Sequence, residues 1–171
     1  MSNQRIRRFE KGGILFRQKN SKSSEMIIWF TGQPGSGKTT ICKRILWDKP
    51  GVFHIDGDDL RDLFDNKDYS ELGRRKNVEL AQQIAHYLHK KGKDVVVSLV
   101  SPYKDQRDKF KEKIGHNMFE VYVHTSEIRG REDFFVKEYG QPTENYLDID
   151  TTNESVEESI KKVLDYVKNN S

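Results

Sequence analysis

The chain has 171 residues, the size of one domain with room for a real core, so one fold and one principal site are expected. Hydrophobic residues make up 34% and charged residues 33%, and no stretch approaches the roughly 18 apolar residues of a membrane-spanning helix, so a soluble protein without a membrane partner is expected. The N-terminal segment lacks the apolar run of a secretory signal and Cys42 is the only cysteine; both point to the reducing cytoplasm and exclude an internal disulfide or a cysteine-built metal site.

The net charge of +3 is unevenly placed. Residues 1–25 carry Arg5, Arg7, Arg8, Lys11, Arg17, Lys19 and Lys22 against Glu10 and Glu25, and read as a basic extension to a domain spanning 26–171. Aromatics do not interleave with these charges as a single-strand binder requires, so no nucleic-acid partner is expected. A solvated arm is one reading, and an edge that pairs two subunits into a homodimer is the other. Within the arm, 12–16 reads as a short strand or as part of a mobile tail.

Apolar runs rich in β-branched and aromatic residues predict strands at 26–31, 52–56, 94–100 and 118–124, with a weaker one at 146–149. Helical spacing fills 39–47, 70–91, 104–114 and 156–168; in the last, Val156, Ile160, Val163, Leu164 and Val167 share a face. Ser70 is placed to cap the long helix, and Lys90, Lys91 and Gly92 to end it. Strand and helix alternate, and the strands are apolar throughout. That pattern predicts a three-layer α/β domain with a mostly parallel five-stranded sheet and helices on both faces.

The first strand leads into Gly32, Gln33, Pro34, Gly35, Ser36, Gly37, Lys38 and Thr39, which fit GxxxxGK[S/T] between a strand and a helix beginning at Thr40. Glycines at 32, 35 and 37 let successive N–H groups turn inward around phosphate oxygens at the positive end of that helix. Lys38 is then positioned for the β- and γ-phosphates of ATP, and the Thr39 hydroxyl for Mg2+. The motif makes this a P-loop fold without separating kinases from GTPases, ATPases or nucleotide switches.

The second strand ends in Asp56, Gly57, Asp58, Asp59 and Arg61, at the sheet edge where open α/β folds bind ligands. Asp56 is assigned to the metal, usually through water, and Asp58 to the acceptor hydroxyl, the reverse being the alternative. Arg61 suits an anionic group on the acceptor. Asp59 is expected to cap a helix starting near Leu60, and His54 to be a packed core histidine. His86 and His89 are expected to be solvated.

With these residues the chain resembles the adenylyl-sulfate kinases, which phosphorylate the 3′-hydroxyl of adenylyl-sulfate with MgATP. The likeness runs from about Ile27 to the C-terminus. It rests on Trp29, Phe30, Thr31 and Gly32 before the loop; on Asp56, Gly57 and Asp58 followed by Arg61; on Tyr69 and Ser70 with Arg74 and Asn77; and on Ser98, Leu99, Val100, Ser101 and Pro102 with Arg107. The resemblance implies that Tyr69 stacks on the substrate base. It implies that Arg61, Arg74 and Asn77 hold its phosphate and attached anion, and that Val100, Ser101 and Pro102 wall the pocket. Arg129 and Arg131 follow the fourth strand, where nucleoside-monophosphate-type kinases carry lid arginines that neutralise charge on the transferred group; a charged helix start is the other reading.

The chain departs from the family after Arg131. Most of a long basic lid, whose phenylalanine covers the second face of the base, is missing between Arg131 and Pro142, leaving Phe134 or Phe135 as replacements. Asp59 and Tyr69 stand where the family has asparagine and phenylalanine. The resemblance implies a kinase acting on a nucleotide-linked anion, with adenylyl-sulfate the leading acceptor and cytidine diphosphoramidate the alternative for a shorter lid. A nucleotide-dependent switch is the rival, disfavoured because no guanine-selecting NKxD element occurs.

Overall fold

A computed structural model describes residues 25–171. The basic arm and the strand considered at 12–16 lie outside the described residues.

Five strands form one sheet: β1 (Ile27–Thr31), β2 (Phe53–Asp56), β3 (Val95–Ser98), β4 (Met118–His124) and β5 (Tyr146–Asp150). Their order is β2-β3-β1-β4-β5 and every pairing is parallel, from Ile27 opposite Val95 on one side of β1 to Ile27 opposite Met118 on the other. The central strand is buried along its whole length, which explains why its sequence shows no polar alternation.

Alternate residues of the same strands feed two cores. Ile28, Phe30, Val96, Val121 and Val123 meet α1 (Lys38–Trp47) and α5 (Val156–Asn170) through Ile41, Ile45, Ile160 and Val163. Ile27, Trp29, Val95 and Val97 meet α2 (Gly57–Leu63), α3 (Glu71–Lys90) and α4 (Lys104–Ile114) through Leu60, Val78, Ala81 and Phe110. Helices on both faces of a parallel sheet make the three-layer α/β fold expected of this sequence. No helix among the described residues is long and apolar enough to cross a membrane.

Helix ends follow local chemistry. The Ser70 hydroxyl accepts from Gly73 N at the start of α3, and Ser155 with Glu158 makes a reciprocal capping box at α5. Past α3, Gly92 takes φ 72°, the left-handed turn that releases the chain toward β3. Two sequence readings are corrected. The helix expected near Leu60 starts at Gly57, and its cap is Asp56, whose Oδ1 accepts from Asp58 N at 2.9 Å, not Asp59. A helix that begins on the residue after a strand leaves only the strand's last side chain to cap it. His89 is not simply solvated: it is half-buried on α3, with Nδ1 enclosed and without a hydrogen-bond partner.

Candidate active site

The C-terminal ends of β1, β2 and β3 open into a cleft of about 580 Å³. One end is the phosphate loop. Gly35 and Gly37 sit at φ 79° and 100°, and a Cβ on Gly32 would stand 2.0 Å from the Val123 carbonyl, so glycine is required there for close approach as well as conformation. Lys38 is only 8% exposed; its Nζ donates to the carbonyls of Gly32 (2.9 Å) and Gln33 (2.8 Å). Burial pulls its pKa from 10.5 down to about 8, against the opposing pull of Asp56 and Asp58.

Thr39 follows Lys38 at the start of α1, and its Oγ1 donates to Asp56 Oδ2 at 2.9 Å. That oxygen also accepts from Ser98 Oγ (2.7 Å), while Asp56 Oδ1 takes the Asp58 N–H. Burial disfavours ionisation of Asp56, but these hydrogen bonds outweigh it and hold the carboxyl below its ordinary range. Because Ser98 Oγ gives its hydrogen to Asp56, the His54 Nε2 lying 2.8 Å from it must be the protonated nitrogen. His54 is therefore not a packed core histidine: it lies half-buried on edge strand β2 and steadies Asp56 through Ser98, with burial keeping it below its usual pKa. A hydroxyl and an ionised carboxylate converging at one point are hard oxygen donors of the kind Mg2+ takes alongside phosphates and water.

The other end of the cleft is built from three distant segments. From α2 to α3 come Asp58, Arg61, Tyr69, Arg74 and Asn77. Tyr69 is 59% exposed, and its ring lies 4.2 Å from the Arg61 guanidinium. Arg61 also donates to the carbonyls of Asn66 (3.0 Å) and Asp68 (2.9 Å), and Arg74 Nε to that of Tyr69 (2.8 Å), so both arginines brace the loop they line. Asn77 donates to the Gly57 carbonyl (3.1 Å), and its Oδ1 is buried without a protein partner.

The second segment is the wall of Val100, Ser101 and Pro102. Ser101 takes a left-handed φ of 44°, and its carbonyl is held by Thr31 Oγ1 (3.2 Å) and by Arg107. Arg107 is fully buried and paired through Nε with Glu120 at 2.7 Å. The third segment brings Arg131, Asp133, Phe134 and Phe135, the last two 59% and 40% exposed.

Among the sequence-predicted residues, Pro34, Gly35, Lys38, Thr39, Asp56 and Asp58 share this cleft with the predicted acceptor-side residues and Arg131. Gly32, Gln33, Ser36 and Gly37 complete the loop behind them, and Thr40 faces outward. Arg129 lies elsewhere: its guanidinium donates to the carbonyls of Gly35 (3.2 Å) and Thr151 (2.8 Å), against the outside of the loop. Sequence reasoning missed Thr151, whose hydroxyl donates to the Ser36 carbonyl (3.0 Å), and the buried Arg107–Glu120 pair. A glutamate inside the apolar run of β4 was the available signal, since a buried carboxylate needs a cation.

A phosphate loop, a helix-capping acid beside its threonine and a second, aromatic and basic half-pocket on one parallel sheet define a P-loop kinase. The family model described as adenylylsulphate kinase matches residues 24–134. The chain therefore belongs to the adenylylsulphate kinase family, whose members transfer phosphate to a hydroxyl group. An adenylyl-sulfate kinase of Oceanobacillus iheyensis is 27% identical over 89% of this chain and 88% of its own length; one of Pseudomonas aeruginosa is 30% identical over 84% and 86%. A Mycobacterium tuberculosis APS kinase in complex with AMPPNP and APS shares the fold with a TM-score of 0.70 at 24% identity, over 85% of this chain and 98% of that one. The family match stops at residue 134.

Proposed function

We propose that this kinase transfers the γ-phosphate of MgATP to the 3′-hydroxyl of adenylyl-sulfate, yielding ADP and the 3′-phosphorylated product. The observation that carries it is the single cleft in which Lys38 and Thr39 face Asp58 and an acceptor half of Tyr69, Arg74, Ser101 and Phe134. Donor and acceptor are thereby held for in-line attack, and positioning supplies a large share of the rate.

Each residue then has a defined task. Asp58 takes the hydroxyl proton, or orients the hydroxyl, as its oxygen attacks phosphorus. Lys38 and Arg131 neutralise charge developing on the transferred group, while the backbone of Gly35 to Thr39 holds the triphosphate. Thr39 and Asp56 would hold Mg2+, which would supply positive charge to offset that of the triphosphate. Arg61, Arg74 and Asn77 hold the acceptor's phosphate and attached anion, and the aromatic rings take its base.

The test presents MgATP with adenylyl-sulfate and, separately, with cytidine diphosphoramidate, and follows phosphorylated product by anion-exchange chromatography. Product from adenylyl-sulfate is expected. Product from the cytidine compound alone would move the acceptor assignment to the pyrimidine conjugate. Steady ADP release with neither would replace transfer by hydrolysis.

A further inference from the structure

The segment from Arg131 to Gly140 is fastened to the rest of the domain. At its start the Arg131 side chain passes so close to Gly35 that a Cβ there would come within 3.1 Å of Arg131 Cβ. At its end the Tyr139 hydroxyl lies 2.5 Å from Thr31 Oγ1, Gly140 N donates to the Pro102 carbonyl (2.9 Å), and the Gly140 carbonyl accepts from buried Arg107.

Between these points lies the contact that ties the segment to the phosphate loop. Gln33 Nε2 donates to the Val136 carbonyl (2.8 Å), and Val136 N donates back to Gln33 Oε1 (2.9 Å). One carboxamide thus closes a two-bond ring with one peptide residue across 103 positions of sequence. The phosphate cradle uses only the backbone of position 33, so its side chain is free for another task. A neutral amide offers donor and acceptor side by side. Glutamate would set a second acceptor against the Val136 carbonyl, and an aliphatic side chain would make neither bond. The residues strung between the fastenings, Arg131, Asp133, Phe134 and Phe135, are those that close the acceptor half of the cleft.

We infer that Gln33 is a positioning residue for the acceptor: its amide clasps the strap at Val136 and so sets Phe134 and Phe135 over the acceptor pocket as a fixed wall attached to the donor loop. The inference rests on the kinase reading for its functional consequence, though the clasp itself does not. Binding of the triphosphate on one side of the loop and of the acceptor under the strap on the other would then share one rigid element.

Gln33→Met removes both bonds at nearly constant volume, and Gln33→Glu removes the donor alone. Hydrogen exchange of the Val136 amide in the free protein needs no substrate; it should quicken by roughly tenfold in Gln33→Met, with the Phe134 and Phe135 amides following. In steady-state assays with MgATP and adenylyl-sulfate, KM for adenylyl-sulfate should rise roughly tenfold more than KM for MgATP, while ADP release without acceptor increases as water gains access. Gln33→Glu should shift both readouts in the same direction. Unchanged exchange at Val136 would overturn the clasp. Faster exchange with both KM values rising together would overturn the acceptor role and leave Gln33 serving the phosphate loop. If the wild-type enzyme turns over neither acceptor, the functional reading fails separately, and the exchange rates still decide whether Gln33 holds the strap.

Discussion

The two halves of the cleft are built on different principles. The donor half is one continuous stretch of chain joined by Asp56 from β2, and its work is done by backbone N–H groups, two left-handed glycines, a buried lysine and the Thr39–Asp56 hydrogen bond. The acceptor half gathers side chains from α2 and α3, from the turn after β3 and from the strap after β4, and two of them, Tyr69 and Phe134, stand more than half exposed. On the proposed function, chemistry falls to a compact, backbone-determined unit, while the choice of acceptor falls to side chains from several segments, one of them clasped to the loop through Gln33. The family match, residues 24–134, spans the donor half and most of the acceptor half and ends within the strap.

Breaking the donor half should stop transfer to every acceptor. Lys38→Ala removes the buried cation at the phosphate end, and kcat with adenylyl-sulfate should fall by roughly 10²–10³, the usual cost of a preorganised charge-stabilising donor. A variant retaining a third of wild-type turnover would dissolve the distinction between halves. The paired carboxylates come next. Asp56→Asn should raise the Mg2+ concentration needed for half-maximal rate by roughly tenfold or more, whereas Asp58→Asn should lower kcat by roughly 10² at saturating Mg2+. Exchanged phenotypes would reverse the two assignments.

On the acceptor side the expected effects are smaller and selective. Phe134→Ala removes an exposed ring from the strap, and loss of one base-stacking face should raise KM for the acceptor by roughly tenfold. KM for MgATP should move far less. Equal changes in both constants would show that the strap serves the donor instead.

The donor half was legible in the sequence because its constraints are local: a left-handed glycine or a threonine after the loop lysine is dictated by neighbours a few residues away. The sheet was legible for a related reason, since strands buried on both faces read as unbroken apolar runs. What escaped were partnerships between distant segments. Arg107 lay inside a segment recognised from the family, yet nothing local showed that it would be fully buried against Glu120 and grip the carbonyls of Ser101 and Gly140. Gln33 read as a backbone position of the loop, and only the folded chain brings Val136 to its amide. His54 looked like core because its neighbours are apolar, but β2 is an edge strand, which leaves one flank open and turns the ring toward Ser98.

The gentlest probe of the donor half is a proton. Burial holds the Lys38 pKa at about 8 in the nucleotide-free protein, against an ordinary 10.5. Phosphate oxygens around Nζ favour the charged form, so binding raises that pKa, and from about pH 8 up to the raised value MgATP binding takes up a proton. Affinity should accordingly fall as pH rises through about 8, approaching tenfold per unit above it. The free protein behaves oppositely in the same window: its depressed lysine binds fewer protons than the unfolded chain, so this group makes stability rise with pH. Titration calorimetry at about pH 9 in two buffers of unlike ionisation heat should register uptake approaching one proton, absent in Lys38→Met. Wild-type binding without proton uptake would mean that Lys38 is already charged and solvated at that pH, and that the donor half is less enclosed than its geometry indicates.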